Sequence, residues 1–265
     1  MMSAVIEVEH LCKRFGEVVA VKDVTVRVEA GDIFAFLGPN GAGKSTTIKM
    51  LTTILRPSSG QMRVNGFDPV TQSYAVRRSF GIVFQDSSLD DDLTAFENME
   101  FHAILYGVAK AERRRRIHSL LEFVELHDRR DSLVREFSGG MKRRLEIARG
   151  LLHEPKIIFL DEPTLGLDPQ TRNHMWSYLE DLNARQGTTV FFTTHYMEEA
   201  ERVARHIAII DHGAIVAMGT VQELCAQTNS QSLEQAFLSL TGHDIREEAS
   251  GGLERMRNLR KAWRR

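Results

Sequence analysis

The sequence GPNGAGKST, Gly38–Thr46, is the stretch around which this chain is organised. An apolar run, Ile33–Leu37, precedes it, and a helix-like segment, Thr47–Leu55, follows it and is ended by Pro57 and Gly60. A strand, a glycine-rich loop and a helix in this order are typical of a phosphate-binding loop. Glycines let backbone N–H groups close around phosphate oxygens, and the helix N-terminus adds the positive end of its dipole. The stretch therefore predicts a nucleoside triphosphate site, against the alternative of a glycine turn with an incidental lysine.

The same loop offers a cation and a metal ligand. Lys44 is predicted to meet the β- and γ-phosphates and to act in catalysis, and the Ser45 hydroxyl is predicted to ligate Mg²⁺. The predicted nucleotide contacts of the loop are Gly38, Pro39, Asn40, Gly41, Ala42, Gly43, Lys44, Ser45 and Thr46.

Composition narrows the class of partner. The chain has 265 residues, 42% of them hydrophobic, which is enough for a substantial core. A net charge of −2 and a pI of about 6.6 argue against a nucleic-acid partner. Cys12 and Cys225 are far apart and form no metal-ligand pattern, so they predict buried thiols in a reducing compartment. No apolar stretch approaches the roughly 20 residues that span a bilayer, and the N-terminus has no signal region, so any membrane role is expected to go through a partner.

Strand patterns alternate with helical ones and predict an α/β fold. Val24, Val26 and Val28 alternate with polar residues, which is typical of a half-buried strand in an antiparallel sheet. The other predicted strands are Val5–Leu11, Ile33–Leu37, Gln61–Val64, Phe80–Phe84, Ile157–Leu160 and Val190–Thr194, with a hairpin of Ile207–Ile210 and Ala214–Met218.

Residues from about 86 to 154 are predicted to be helical and inserted between two strand-rich parts. The helix starts follow from N-cap residues. These are capping boxes at Thr94, Thr220 and Ser232 and a single cap at Asp168, and a further helix is predicted after Ser138 and its two glycines. The last two capping boxes predict two short C-terminal helices, and the basic tail from Ser250 is predicted to be a mobile end.

Two adjacent carboxylates follow the apolar strand Ile157–Leu160. Ligands of open α/β sheets bind at the carboxyl ends of the strands. Asp161 is placed there to hold Mg²⁺, directly or through water. Glu162, one residue further on, is placed to polarise the water that attacks the γ-phosphate. The alternative is a surface acidic pair at a strand end.

These motifs together resemble an ABC ATPase domain, and the resemblance covers nearly the whole chain. The matching motifs, in order, are the loop Gly38–Ser45, Gln85, Phe137–Met141, Asp161–Pro163, Gly166–Asp168 and His195. The resemblance implies a RecA-like P-loop NTPase core with a mostly parallel sheet, an antiparallel β subdomain and an inserted helical subdomain. It also implies an ATPase domain over residues 1–220, with the insert at about 86–154, and a helical extension with a basic tail over 221–265.

The resemblance assigns a role to each remaining motif residue. Phe15 matches the aromatic residue that stacks on adenine, and Gln85 resembles the glutamine that senses Mg²⁺ and the γ-phosphate. His195 resembles the switch histidine that contacts the γ-phosphate, and Asp168 the residue that communicates across a dimer. The signature residues, which would contact ATP held by a second subunit, are Ser138, Gly139, Gly140 and Met141.

The signature departs from the family pattern at two positions. Phe137 replaces the usual leucine, and Met141 replaces the usual glutamine, which removes a polar contact to the partner's nucleotide. The signature with the following Lys142–Arg144, and the terminal segment Ser232–Gly242, resemble the drug-resistance exporter branch, which includes nodulation-factor exporters.

The resemblance implies an ATP-binding and ATP-hydrolysing subunit of an exporter. It would dimerise around two MgATP, with itself or a homologous subunit, and would drive a separate membrane permease from the cytoplasmic face of the membrane, for efflux of a drug or another small hydrophobic or amphipathic compound. The alternative is a soluble ABC-type ATPase such as a cluster-assembly factor. A P-loop kinase is disfavoured, because the signature has no role in one.

Overall fold

Residues 3–242 are described by the computed structural model, and they alternate strands with helices along the chain. The strands are β1 (Ala4–Phe15), β2 (Val18–Glu29), β3 (Ile33–Leu37), β4 (Ser59–Val64), β5 (Phe80–Val83), β6 (Ile157–Asp161), β7 (Thr189–Thr194), β8 (His206–Asp211) and β9 (Ala214–Gly219). The α-helices are α1 (Lys44–Leu51), α2 (Ser73–Ser79), α3 (Ala95–Leu105), α4 (Lys110–Phe123), α5 (Gly139–Leu151), α6 (Pro169–Gln186), α7 (Met197–Val203), α8 (Val221–Thr228) and α9 (Leu233–Thr241). Two 3₁₀ turns, His127–Arg129 and Val134–Glu136, join α4 to α5.

The strands of the described region form one mixed sheet in the order β4-β1-β2-β9-β8-β3-β7-β6-β5. Strands β8, β3, β7, β6 and β5 run parallel to one another. Strand β1 pairs antiparallel with β2 and β4, and β9 pairs antiparallel with β8. The antiparallel strands β4, β1 and β2 join the rest of the sheet where Asp23 of β2 pairs with Ala214 of β9. The predicted α/β class, with a mostly parallel core and an antiparallel part, is confirmed.

Burial explains this division of the sheet. Every residue of β3, β6 and β7 is buried, as expected of parallel strands covered on both faces. Alternate residues pack on opposite sides: Phe34 and Phe36 face a core that includes α1, whereas Leu37 faces a core that includes α5 and α6. In β2 the three valines of the predicted half-buried strand are buried and alternate with exposed polar residues, and Val26 pairs with Val8 of β1.

The parallel strands bring four sequence motifs to one edge of the sheet. Strands β3, β5, β6 and β7 lie in register and end at the same edge. Gly38 follows β3, Gln85 lies just beyond β5, and Glu162 and His195 follow β6 and β7. Residues far apart in the chain therefore meet beside the glycine-rich loop.

The segment between β5 and β6 contains helices and turns but no strand, apart from an isolated bridge between Thr94 and Leu133. Helices α3, α4 and α5 share a core of their own, with Met99, Leu121 and Leu145 fully buried in it. The predicted capping box at Thr94 is present: its hydroxyl accepts from Glu97 N–H, and the Glu97 carboxylate accepts from Thr94 N–H. Among residues 3–242, no helix is both long and apolar enough to cross a membrane.

The C-terminal helices pack onto the sheet. Leu224 of α8 and Phe237 of α9 are buried in the same core as Val203 of α7. The predicted box at Ser232 is only half formed, because its hydroxyl accepts from Gln235 N–H while the Gln235 side chain accepts from Gln231 N–H instead. The basic tail from Ser250 lies outside the described residues.

Helices α2 and α7 are the elements that the sequence patterns do not identify. Each has seven residues, which is too short for the apolar period of a helix to repeat. Both are instead fixed by neighbouring strands, since α2 runs directly into β5 and α7 follows β7 by two residues.

Candidate functional site

The loop between β3 and α1 has a backbone that only glycine allows at two positions. A Cβ at Gly38 would lie 2.3 Å from the carbonyl oxygen of Ile210, and a Cβ at Gly43 would lie 2.7 Å from that of Ala20. Gly43 also has a φ of 109°, in the left-handed region. The loop is thus held against β2 and β8 at a fixed curvature, with the N-terminus of α1 immediately after it.

The loop borders a polar cavity of about 270 Å³. Its lining residues are Ala20, Asn40, Gly41, Ala42, Gly43, Lys44, Ser45, Thr46, Gln85 and Glu162. The predicted loop, glutamine and carboxylate therefore lie around one space. Gly38 and Pro39 lie behind it, and their carbonyl oxygens accept from Lys44 Nζ at 2.7 and 3.3 Å.

Lys44 is a buried cation within the loop. Its Nζ lies 3.2 Å from Oε1 of Glu162, which joins the end of β3 to the end of β6. Burial lowers the pKa of the Lys44 ammonium, and the nearby Glu162 carboxylate opposes that shift. The lysine thus places a compact positive charge at the inner wall of the cavity.

Glu162 is held between two nitrogen groups. Its Oε1 faces Lys44, and its Oε2 lies 2.7 Å from Nδ1 of His195 at the end of β7. Burial raises the pKa of the Glu162 carboxyl, but the contact with His195 and the charge of Lys44 outweigh it, so the pKa lies below its usual range. The side chain is therefore an ionised carboxylate at neutral pH.

The backbone of Glu162 is strained. Its φ of 48° is in the left-handed region, which costs a residue other than glycine about 1–3 kcal/mol. Its N–H donates to Oγ1 of Thr193 at 3.0 Å, and its carbonyl oxygen accepts from Arg143 Nη2 at 3.2 Å. Hydrogen bonds on both sides of Glu162 thus hold its strained backbone, and the residue lines the cavity.

The Asp161 carboxylate, at the end of β6, accepts hydrogen bonds from two hydroxyl groups. Its Oδ1 accepts from Ser45 Oγ at 3.0 Å and from Thr193 Oγ1 at 2.7 Å. The described residues contain no cluster of three or more His, Cys, Asp or Glu side chains able to hold a metal ion. The Ser45 hydroxyl and the Asp161 carboxylate are, however, the hard oxygen donors that suit Mg²⁺, which commonly binds through one or two protein ligands and substrate phosphates.

The predicted signature residues lie apart from this cavity. Ser138 caps α5 by accepting from Met141 N–H at 3.3 Å, and both Ser138 and Gly139 are exposed. Met141 is partly buried against the core of the helical segment. None of these residues lines the cavity beside Lys44.

Gly140 and Asp168 meet through one threonine. A Cβ at Gly140 would lie 2.6 Å from Cγ2 of Thr171, so a larger residue would push against α6. Asp168 caps α6, and Thr171 donates to it through both its N–H and its hydroxyl, which lowers the pKa of the Asp168 carboxyl. The starts of α5 and α6 are therefore in direct contact.

Phe15 lies at the end of β1, outside the cavity lining. Its side chain is exposed, and Lys13 Nζ lies 5.0 Å from the centre of its ring. The ring is thus about half exposed, with the Lys13 ammonium over it.

Thr193, Ala20 and Arg143 are site residues that the sequence patterns do not assign. Ala20 lines the cavity, Thr193 joins Asp161 to Glu162, and Arg143 contacts the backbone of Glu162. One feature of the sequence could have indicated that Thr193 belongs to the site. It lies near the carboxyl end of a buried strand, two residues before His195.

Comparison with known proteins agrees with this geometry. The family model of ABC transporters matches residues 21–165, more than half of the chain. The daunorubicin/doxorubicin resistance ATP-binding protein DrrA of Streptomyces peucetius is 43% identical, covering 92% of this chain and 72% of its own length. The Nod factor export ATP-binding protein I of Cupriavidus metallidurans is 41% identical, covering 84% and 73%. The predicted resemblance to the drug-resistance and nodulation-factor branch is confirmed.

A solved structure is similar as well. The ATP-binding cassette MJ0796, described as a dimer in a post-hydrolysis state with ADP and Pi, superposes with a TM-score of 0.74 at 28% identity, covering 81% of this chain and 98% of its own. These relatives favour a transporter subunit over the cluster-assembly alternative. The chain belongs to the ABC transporter family, among its ATP-binding, ATP-hydrolysing subunits.

Proposed function

We propose that this chain is the ATPase subunit of an ABC exporter and that it hydrolyses ATP at the cavity beside Lys44. The observation that carries the proposal is that Lys44 and Glu162 lie together in the wall of that cavity, with His195 in contact with Glu162 and with Asp161 bonded to Ser45 beside them. A cation for phosphates, an ionised base and a metal-ligand pair are the parts that phosphoryl transfer to water requires.

Each residue has a distinct part in this scheme. The loop backbone and Lys44 bind the phosphates, and the exposed ring of Phe15 stacks on adenine. Ser45, Asp161 and Gln85 would hold Mg²⁺, which neutralises phosphate charge when bound.

Glu162 orients the attacking water and accepts its proton, because it is ionised at neutral pH and its carboxylate is free to take up a proton. His195 lies within hydrogen-bond distance of this carboxylate and contacts the γ-phosphate from the same edge.

The signature residues act on a second copy. Ser138 and Gly139 are exposed, and none of Ser138–Met141 lines the cavity of their own chain. The N-terminus of α5 is an anion-binding end, so it can cover the γ-phosphate of ATP bound by the partner subunit. Asp168, whose partner Thr171 contacts Gly140, lies next to the same surface and communicates between the two sites.

A groove on the helical segment fits a permease helix. Its volume is about 380 Å³, and its lining residues are Ser88, Asp90, Leu93, Asn98, Phe101, His102, Leu105 and Arg149. Phe101, Ile104 and Leu105 expose half or more of their area on this face of α3. An exposed apolar patch beside polar residues is typical of a protein-binding site. Docking here would place the subunit at the cytoplasmic face of a membrane.

The transported compound belongs to the permease rather than to this subunit. The names of the relatives, an anthracycline resistance protein and a Nod factor export protein, support efflux of a drug or another amphipathic compound.

Substitution of Lys44 tests the nucleotide site. Lys44→Ala removes the cation of the cavity wall, so we expect ATP turnover to fall by more than about 10²-fold and ATP binding to weaken strongly. Phosphate release and titration with a fluorescent ATP analogue measure the two effects. Lys49→Ala is the matched control, because Lys49 lies on the same helix and is exposed. Turnover of a folded Lys44→Ala protein at the wild-type rate would refute the proposal.

A further inference from the structure

Arg143, in the second turn of α5, has a buried guanidinium that contacts three separate parts of the chain. Its Nε donates to Pro163 O at 2.7 Å and its Nη2 to Glu162 O at 3.2 Å. Its Nη1 donates to Phe84 O and to Oε2 of Glu146, the latter at 3.1 Å. The side chain is only 7% exposed. Arg143 therefore joins the end of β5 to the strained residue that follows β6.

The same face of α5 also contacts the segment beyond Gln85. Oε1 of Glu146 accepts from Ser88 N–H at 2.8 Å. Arg149 Nη1 donates to Ser88 O at 2.8 Å. Ser88 in turn lines the groove on the helical segment. One helix thus connects the wall of that groove to the backbone of Glu162.

A buried ion pair such as Arg143–Glu146 contributes little net stability. Replacing such a pair with apolar residues of similar size is often neutral or stabilising, whereas removing one partner is costly. The planar guanidinium group of an arginine can donate to several acceptors at fixed angles, which a lysine ammonium cannot do. The guanidinium of Arg143 donates to backbone carbonyl groups, and two of these belong to Glu162 and Pro163.

We propose that Arg143, held by Glu146, is a positioning residue for Glu162. It fixes the left-handed backbone of Glu162 from the carbonyl side, while Thr193 fixes it from the N–H side. Because α5 also holds Phe84 and Ser88, a partner that moves the Phe84–Ser88 segment moves Glu162 with it. This inference rests on the proposed role of Glu162 as the base that activates water.

The double variant Arg143→Met/Glu146→Met tests the inference. It removes both charges of the pair and keeps similar side-chain volume, so the protein should remain folded. We expect kcat for ATP to fall by about 10²-fold, as for misplacement of a catalytic group by about 1 Å. KM should stay within about twofold, because the phosphate loop is untouched.

Arg144→Met is the matched control. Arg144 is the next residue on α5, and it contacts Val124 O and Glu125 rather than Glu162. Its kcat should equal that of the wild type. Arg143→Lys is a second variant. It keeps a positive charge opposite Glu146 but loses the planar guanidinium group, so its kcat should also fall. If the double variant does not fold, Arg143→Lys decides the question alone.

Hydrogen exchange tests the connection itself. Amides of Ser88 and Leu165 donate to Glu146 and to Glu162 O. We expect both segments to exchange faster in the double variant and neither to do so in Arg144→Met. Wild-type kcat in a folded Arg143 variant, or faster exchange at Ser88 alone, would overturn the inference. If Glu162→Gln also turns over at the wild-type rate, the proposed function itself fails, whereas loss of activity in that variant alone rejects only the role of Arg143.

Discussion

The hydroxyl of Thr193 supports the two carboxylates of the site, and removing it should have a measurable cost. Thr193 is fully buried on β7. Its Oγ1 donates to Asp161 Oδ1 at 2.7 Å and accepts from Glu162 N–H at 3.0 Å. Thr193→Val keeps the branched shape that suits a strand and removes only these two hydrogen bonds.

The size of the effect follows from the type of each bond. A hydrogen bond to a charged group contributes about 1.5–3 kcal/mol, and a neutral one about 1 kcal/mol. Their loss sums to about 2.5–4 kcal/mol, and it leaves Glu162 N–H buried without its acceptor. At about 2–4 °C per kcal/mol for a domain of this size, the melting temperature should fall by roughly 5–15 °C. The same loss frees the backbone of Glu162, so turnover should fall by about 10–100-fold.

Thermal unfolding and steady-state ATPase measurements test both values. Thr52→Val is the matched control, since Thr52 is also buried and its hydroxyl donates only to Ile48 O. That carbonyl keeps a second donor, Thr52 N–H, so the control should lose about 1 kcal/mol or less. If Thr193→Val melts like the control and keeps full turnover, Thr193 does not position Glu162.

Two further predictions concern the helical segment. Burial lowers the pKa of His102 to about 3 and that of His153 to about 4, so the native state keeps both rings neutral. The unfolded chain binds these protons below about pH 6.5, so stability present above that pH should be lost as pH falls toward 4. Urea unfolding should show that the free energy of unfolding of His102→Gln/His153→Gln declines less steeply with falling pH than that of the wild type. An unchanged slope would contradict the lowered pKa of these two histidines. In a chain freed of its native cysteines, a cysteine at the exposed Leu105 should crosslink to the permease, while one at the exposed Gln170 of α6 should not; crosslinks from Gln170 alone would refute the docking surface.

Residues that follow buried strands were predictable from the sequence. Gly38, Gln85, Glu162 and His195 each follow an apolar run, and parallel strands end at a common edge. That rule brings residues from distant parts of the chain to one edge of the sheet, beside the cavity, without further information. The capping motif at Thr94 was predictable for a similar reason, because its partner Glu97 lies within one helical turn.

Contacts made by helix and strand interiors were not predictable. Thr193 lies in an apolar strand, and Arg143 lies in a basic run whose other members are less buried. Their partners, Asp161, Glu162 and Pro163, are distant in sequence, and no local pattern specifies such hydrogen bonds. The half-formed cap at Ser232 shows the same limit, because the Gln235 side chain reaches the residue before the N-cap.

Association of Glu162→Gln with MgATP tests the proposed mechanism most directly. The substitution removes the negative charge opposite Lys44 and weakens the base, while the phosphate loop and Ser138 stay intact. Loss of such a group costs about 10²–10⁴-fold in rate, so ATP should be bound and scarcely hydrolysed.

Size-exclusion chromatography with light scattering, without and with MgATP, gives the mass of the variant in each condition. We expect a monomer without nucleotide and a dimer holding two ATP molecules with it, and a return to a monomer that still binds ATP when Ser138→Arg is added. A Glu162→Gln protein that stays monomeric at saturating MgATP, or that hydrolyses ATP at the wild-type rate, would contradict it.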